Sequence, residues 1–119
     1  MEKKSVWEIL VPTTFGPKTK KGQGKPNNPV KVRYHQVWDK KVKEISGGLT
    51  VHSPSKGSWI APTGEVFDER MIPVKIICTR EEFEKIIDFT LDYYGQLMVL
   101  GYKISDEFIM KSTKEQTNE

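Results

Sequence analysis

Four residues of kinds that often line binding or reacting sites stand on or beside turn-rich sequence: His52, Trp59, Glu69 and Gln96. The first three lie in GGLTVHSPSKGSWIAPTGEVFDER, from Gly47 to Arg70, which is punctuated by Gly-Gly, Ser-Pro-Ser-Lys-Gly and Pro-Thr-Gly. An imidazole titrates near neutrality and can act as a general base. An indole offers a large apolar surface with one donor. A carboxylate drawn inward needs donors around it, because burying it unpaired is costly. A Glu near a Gln, a Trp and a His therefore describes the wall of a small-molecule pocket. Each residue also has a structural use: Trp59 as a packing anchor over one end of a sheet, Glu69 in an ion pair. His52 has no partner at a recognisable spacing to orient it, so no catalytic residue is assigned.

A second group is Lys18, Lys20, Lys21 and Lys25 in GPKTKKGQGK, candidate contacts for an anion. The stretch is not a phosphate-binding P-loop: Lys25 is followed by Pro26, where that loop needs a hydroxyl residue opening a helix. Single-stranded nucleic acid is disfavoured too. Trp7 and Phe15, the aromatics of the first strand, do not form the Lys/Arg-Gly-aromatic pattern of an RNA-reading sheet. The two histidines, His35 and His52, with a single cysteine, Cys78, give no metal-ligand spacing and no disulfide. Cys78 sits in the apolar run IICT and reads as an inert thiol. No cofactor is implied.

At 119 residues the chain has the size of one domain. Apolar residues make up 36% and charged residues 29%, the balance of a globular protein. The net charge of +3 conceals an asymmetry. Residues 1–45 hold 11 Lys/Arg against 4 Asp/Glu, and residues 46–119 hold 8 against 12. No apolar run approaches the ~20 residues of a membrane span. The start, MEKKSVWEILVPTTF, reads as a strand rather than a signal peptide, which places the expected location in the cytoplasm.

These residues must be carried by elements, and the pattern predicts six. Val6–Phe15 reads as a strand and 16–28 as a flexible Gly/Pro/Lys loop. Asn28-Pro29 offers a helix cap and first turn, and His35, Trp38, Val42 and Ile45 form the stripe of an amphipathic helix. Leu49–Ser53 is a short strand ended by Pro54. Ser58–Phe67 is an extra hairpin turning at Pro62-Thr63-Gly64, and Met71–Cys78 is a strand in which Pro73 marks an edge or bulge. Thr79-Arg80-Glu81-Glu82 is a capping box opening a second helix, with Phe83, Ile86, Ile87, Thr90, Leu91 and Tyr94 inward. Leu97–Ile104 is a last strand, and 111–119 a disordered polar tail behind a domain of residues 1–110.

Strand-helix-strand-strand-helix-strand is the ferredoxin-like βαββαβ order: one antiparallel sheet with both helices on one face. The other face is apolar enough to need a cover, and a homodimer packed through the sheet supplies it.

The ordered pieces Gly48-Leu49-Thr50, Gly57-Ser58-Trp59, Thr63-Gly64 with Glu69, and Gly95-Gln96 resemble a widespread group of small uncharacterised bacterial proteins. The resemblance spans Trp7 to Ser105 and implies a ferredoxin-like domain with no established reaction. Three functions follow as expectations. The first is a homo-oligomeric binding module for a small molecule or protein. The second is a small enzyme of the dimeric α/β-barrel type, with a cleft near His52, Trp59, Glu69 and Gln96. The third is nucleic-acid binding through the lysine loop.

Overall fold

The computed structural model describes residues 2–113. Its elements run β1 (Ser5–Pro12), α1 (Val32–Ser46), β2 (Thr50–Val51), β3 (Ser55–Ile60), β4 (Val66–Cys78), α2 (Arg80–Tyr93) and β5 (Gly101–Ser105). The fold is α+β and ferredoxin-like. An antiparallel sheet has β1 at its centre, β4 and β5 to either side, and β2 and β3 both on the far edge of β4. Of the proposed polar tail, 111–113 carries no regular structure and 114–119 lies outside the described residues.

Alternation sorts the side chains. On β1, Trp7, Ile9 and Val11 are buried, as are Val74, Ile76 and Cys78 on β4. They meet Trp38 and Val42 of α1 and Phe83 and Ile86 of α2. Trp7 stacks on Phe83 at 4.7 Å between ring centroids, and its indole N–H donates to the Cys78 carbonyl at 3.1 Å. The two helices are joined by a hydrogen bond from the Trp38 indole to the Thr90 hydroxyl, 2.9 Å. The capping box at Thr79 and Glu82 forms as its sequence requires: the Glu82 amide donates to the Thr79 hydroxyl at 3.1 Å and the Thr79 amide to the Glu82 carboxylate at 2.9 Å.

Three expectations change. The first helix does not begin at Asn28-Pro29 but at Val32, with Lys31 as its uncapped N-cap. Residues 27–30 are engaged in pairing instead: the Phe15 amide donates to the Asn28 carbonyl at 2.9 Å and the Val30 amide to the Thr13 carbonyl at 2.9 Å. The lysine loop is not loose. Its Gly16 amide donates to the Tyr94 carbonyl at 2.9 Å, and its Lys18 amide to the Gly95 carbonyl at 2.7 Å. Last, the hairpin and the Ile/Val strand are one element, since β4 runs thirteen residues without a break.

Pro73 explains how that long strand carries two partners on one edge. The Pro73 carbonyl accepts from the His52 amide at 2.9 Å, so its ring nitrogen, which has no hydrogen, faces the same edge. That position falls between the last pair made by β3, Ser55 with Met71, and the first made by β2, Val51 with Val74. The missing donor coincides with the break at Ser53-Pro54, where no partner strand needs it. Beyond that point β3 and the outer half of β4 form a hairpin arm closed by a turn at 61–65, where Gly64 takes a positive φ of 89°.

Candidate functional site

The sheet face turned away from the helices carries Val6, Glu8 and Leu10 from β1, Met71, Pro73, Lys75 and Ile77 from β4, and Tyr102 and Ile104 from β5, by the same alternation. Toward the arm this face forms a pocket of about 270 Å³ lined by Leu10, Pro12, Gly57, Ser58, Trp59, Glu69, Met71, Gln96, Met98, Val99 and Leu100. Three of the four residues singled out in the sequence meet here. Gly57 is the register partner of Glu69, and Trp59 that of Phe67, which places Trp59 and Glu69 on one face of the arm. The Trp59 ring stacks on Phe67 with centroids 4.9 Å apart. Gln96 comes from the α2–β5 connection, where its side-chain amide donates to the Thr14 carbonyl at 2.9 Å.

Gly57 leaves room for the Met71 side chain: a Cβ at that position would run into the Met71 methyl. Gly16 and Gly95 hold the Gln96 end of the pocket in place. Gly95 has φ +64°, and a Cβ on it would sit 2.5 Å from the Thr19 amide nitrogen. The loop and the end of α2 therefore cross backbone to backbone, which only two glycines allow.

His52 is not part of this pocket. It lies further along the same sheet face, its Nε2 3.1 Å from the Lys75 ammonium. Lys75 in turn reaches the Glu8 carboxylate at 3.7 Å, and the other Glu8 oxygen accepts from the Tyr102 hydroxyl. That hydrogen bond raises the Tyr102 pKa and keeps the phenol protonated. A polar row thus crosses the sheet from β2 to β5 through an otherwise apolar face. Sequence reading missed it because Glu8, Lys75 and Tyr102 are far apart in the chain; only the antiparallel register brings them into line.

The lysines lie elsewhere. Lys20 pairs with Asp92 at 2.7 Å, and Lys18 and Lys20 border a shallow hollow with Asp88, Asp92 and Gln96. Lys21 and Lys25 are exposed. Two of the four thus face carboxylates of α2, not an open basic surface. Cys78 is fully buried, and burial with Glu82 nearby pushes its thiol up to about 12, outside the range of a nucleophile at neutral pH. Among the described residues no three His, Cys, Asp or Glu side chains come close enough to hold a metal ion. Among the same residues no helix is long and apolar enough to cross a membrane.

Solved structures share this fold at low identity. The chain is similar to a divalent cation tolerance protein (Cut A1) from Thermus thermophilus, with TM-score 0.58 and 12% identity over 97% of this chain and 92% of that one. The periplasmic divalent cation tolerance protein CutA from Archaeoglobus fulgidus matches over the same shares, with TM-score 0.56 and 12% identity. A Bacillus cereus protein related to NIF3 matches 87% of this chain with only 26% of its own length, at TM-score 0.54 and 11% identity. These likenesses establish the ferredoxin-like fold. No protein-family model and no curated protein matches the sequence. The resemblance to an uncharacterised bacterial group therefore finds support in its fold and not in its family.

Proposed function

We propose that this chain is a homo-oligomeric binding module that takes a small molecule in the pocket between the hairpin arm and the 96–100 segment. The observation that carries this reading is the pocket's make-up. Its walls are mostly apolar, with one carboxylate, one carboxamide and one indole converging on them, the character of sites for small organic ligands. Among the described residues Glu69 is the one acid or base on its wall, which favours binding over turnover.

The oligomer follows from the sheet face. Met98, Leu100, Tyr102 and Ile104 are 53, 57, 41 and 45% exposed on or beside β5. Apolar surface gathered in this way is covered in most globular proteins. A second copy of the chain suits it, because the face carries both a lysine and a glutamate, Lys75 and Glu8, and so can complement itself about a two-fold axis.

Native mass spectrometry of freshly purified protein tests the pocket. An assembly of more than one copy with extra retained mass, lost in Trp59→Ala, is the expected result. Retained mass that survives Trp59→Ala contradicts the pocket assignment.

A further inference from the structure

We infer that the pocket takes an organic cation, an ammonium group carried on a small apolar body; this rests on the binding reading above and names its ligand class. The charge pattern of the wall points to it. Glu69 is the charged residue among those lining the pocket, and no Lys, Arg or His joins it there. Among the described residues the Glu69 carboxylate makes no ion pair, while five other acidic side chains do. The residue is exposed, and along the wall of this pocket its charge has no cationic neighbour, Arg70 lining the adjoining hollow instead.

The second polar group does not oppose it. Gln96 donates one amide hydrogen to the Thr14 carbonyl, and its carbonyl oxygen is left to turn its negative end toward a cation. The donors of the wall, the Trp59 indole N–H, the Ser58 hydroxyl and the second Gln96 amide hydrogen, are neutral. The carboxylate therefore sets the sign of the site: it repels a carboxylate or phosphate ligand and attracts an ammonium.

The indole completes the set. Trp59 lies on the same face of the arm as Glu69, two register steps away, and stacking on Phe67 at 21° between planes fixes its ring. A cation over an aromatic face is attracted by the ring quadrupole, most strongly for indole. Leu10, Met71, Met98, Val99 and Leu100 then accept the apolar body. A bare metal ion fits less well. One carboxylate and one carboxamide fall short of the six to eight oxygens that calcium takes, and the remaining wall is hydrocarbon and ring.

The test is a titration of ¹⁵N-labelled protein at low salt with three probes that share one ring: benzyltrimethylammonium, benzyl alcohol and benzoate. The expected result is a response of the Trp59 indole N–H and the Gln96 side-chain amide to the cation. The cation should bind at least about tenfold more tightly than benzoate, the scale of a single favourable charge contact. Glu69→Gln, a substitution at an exposed position, should bring the cation down to the level of the alcohol. Equal binding of all three probes, or an unchanged cation affinity in Glu69→Gln, overturns the charge assignment and leaves the pocket reading standing. No response at Trp59 to any probe overturns both.

Discussion

His35 on α1 and Tyr94 at the end of α2 are joined by a 2.6 Å hydrogen bond between the imidazole Nδ1 and the phenol oxygen. Tyr94 is fully buried, and burial raises its pKa so that it stays protonated and donates. His35 must then accept, which requires the neutral ring. Burial lowers its pKa in agreement.

Acid should therefore loosen this joint. A histidine whose folded pKa lies below its unfolded value contributes stability that is complete above pH ~6.5 and is lost as pH falls through the folded pKa. Asp39, raised by burial, has the opposite sign and acts lower, near the carboxylate range. Thermal unfolding followed from pH 7.5 down to 5.5 should show Tm falling as the pH drops. In His35→Gln, which keeps an acceptor and cannot charge, that slope should flatten. A slope equal to wild type would remove His35 as its source.

The crossing of Gly16 and Gly95 makes a sharper demand on the backbone. Gly95→Ala must hold an alanine in the left-handed region, a cost of about 1 kcal/mol or more, and must also displace the Thr19 backbone. A loss of at least about 2 kcal/mol in urea unfolding is expected. Gly64→Ala, at φ +89° with open space around it, should cost only the conformational part, about half as much.

The Thr79 cap makes a separable contribution. Thr79→Ala removes the acceptor of the Glu82 amide and should cost about 1 kcal/mol. Since α2 begins on the far side from the arm, binding of benzyltrimethylammonium at Trp59 should be unchanged in the folded variant. A loss of binding parallel to stability would mean that the pocket depends on the whole of α2.

How much of this can be read in the chain depends on the range of the interaction. The second helix is legible to the residue because its start signal is local, Thr79 to Glu82, and its stripe repeats at helical spacing. The hairpin turn is legible for the same reason, since Gly64 marks it. The start of α1 is not, because pairing between residues 13–15 and 27–30 outweighs what Asn28-Pro29 would do alone. The length of β4 is hidden by Pro73, which reads as a breaker until the gap between β2 and β3 is seen. Trp59 and Glu69 share a face through a hairpin register that the turn residues imply, whereas Gln96 joins them only through the tertiary crossing at Gly16 and Gly95. Closeness in sequence groups His52 with them, and the alternation along β4 carries it to Lys75 instead.

The polar row should matter for specificity more than for stability of one copy. Lys75→Met removes the centre of the row and leaves Glu8 with the Tyr102 hydroxyl as its partner. The pair is partly exposed, so single-copy stability should move by less than about 1 kcal/mol. If the face is buried by a second copy, the same change should alter the assembly, either weakening it or admitting aggregates larger than the native form. Light scattering after size exclusion reads this directly.

The claim on which most of the account rests is that a second copy covers the open sheet face. Sedimentation velocity of the wild type and of Ile104→Lys, a charge placed on that face at an exposed position, tests it most directly. The account predicts that the wild type sediments as more than one copy at tens of micromolar and that Ile104→Lys sediments as one, with its circular dichroism unchanged. A wild type that sediments as a single copy at every concentration would contradict it.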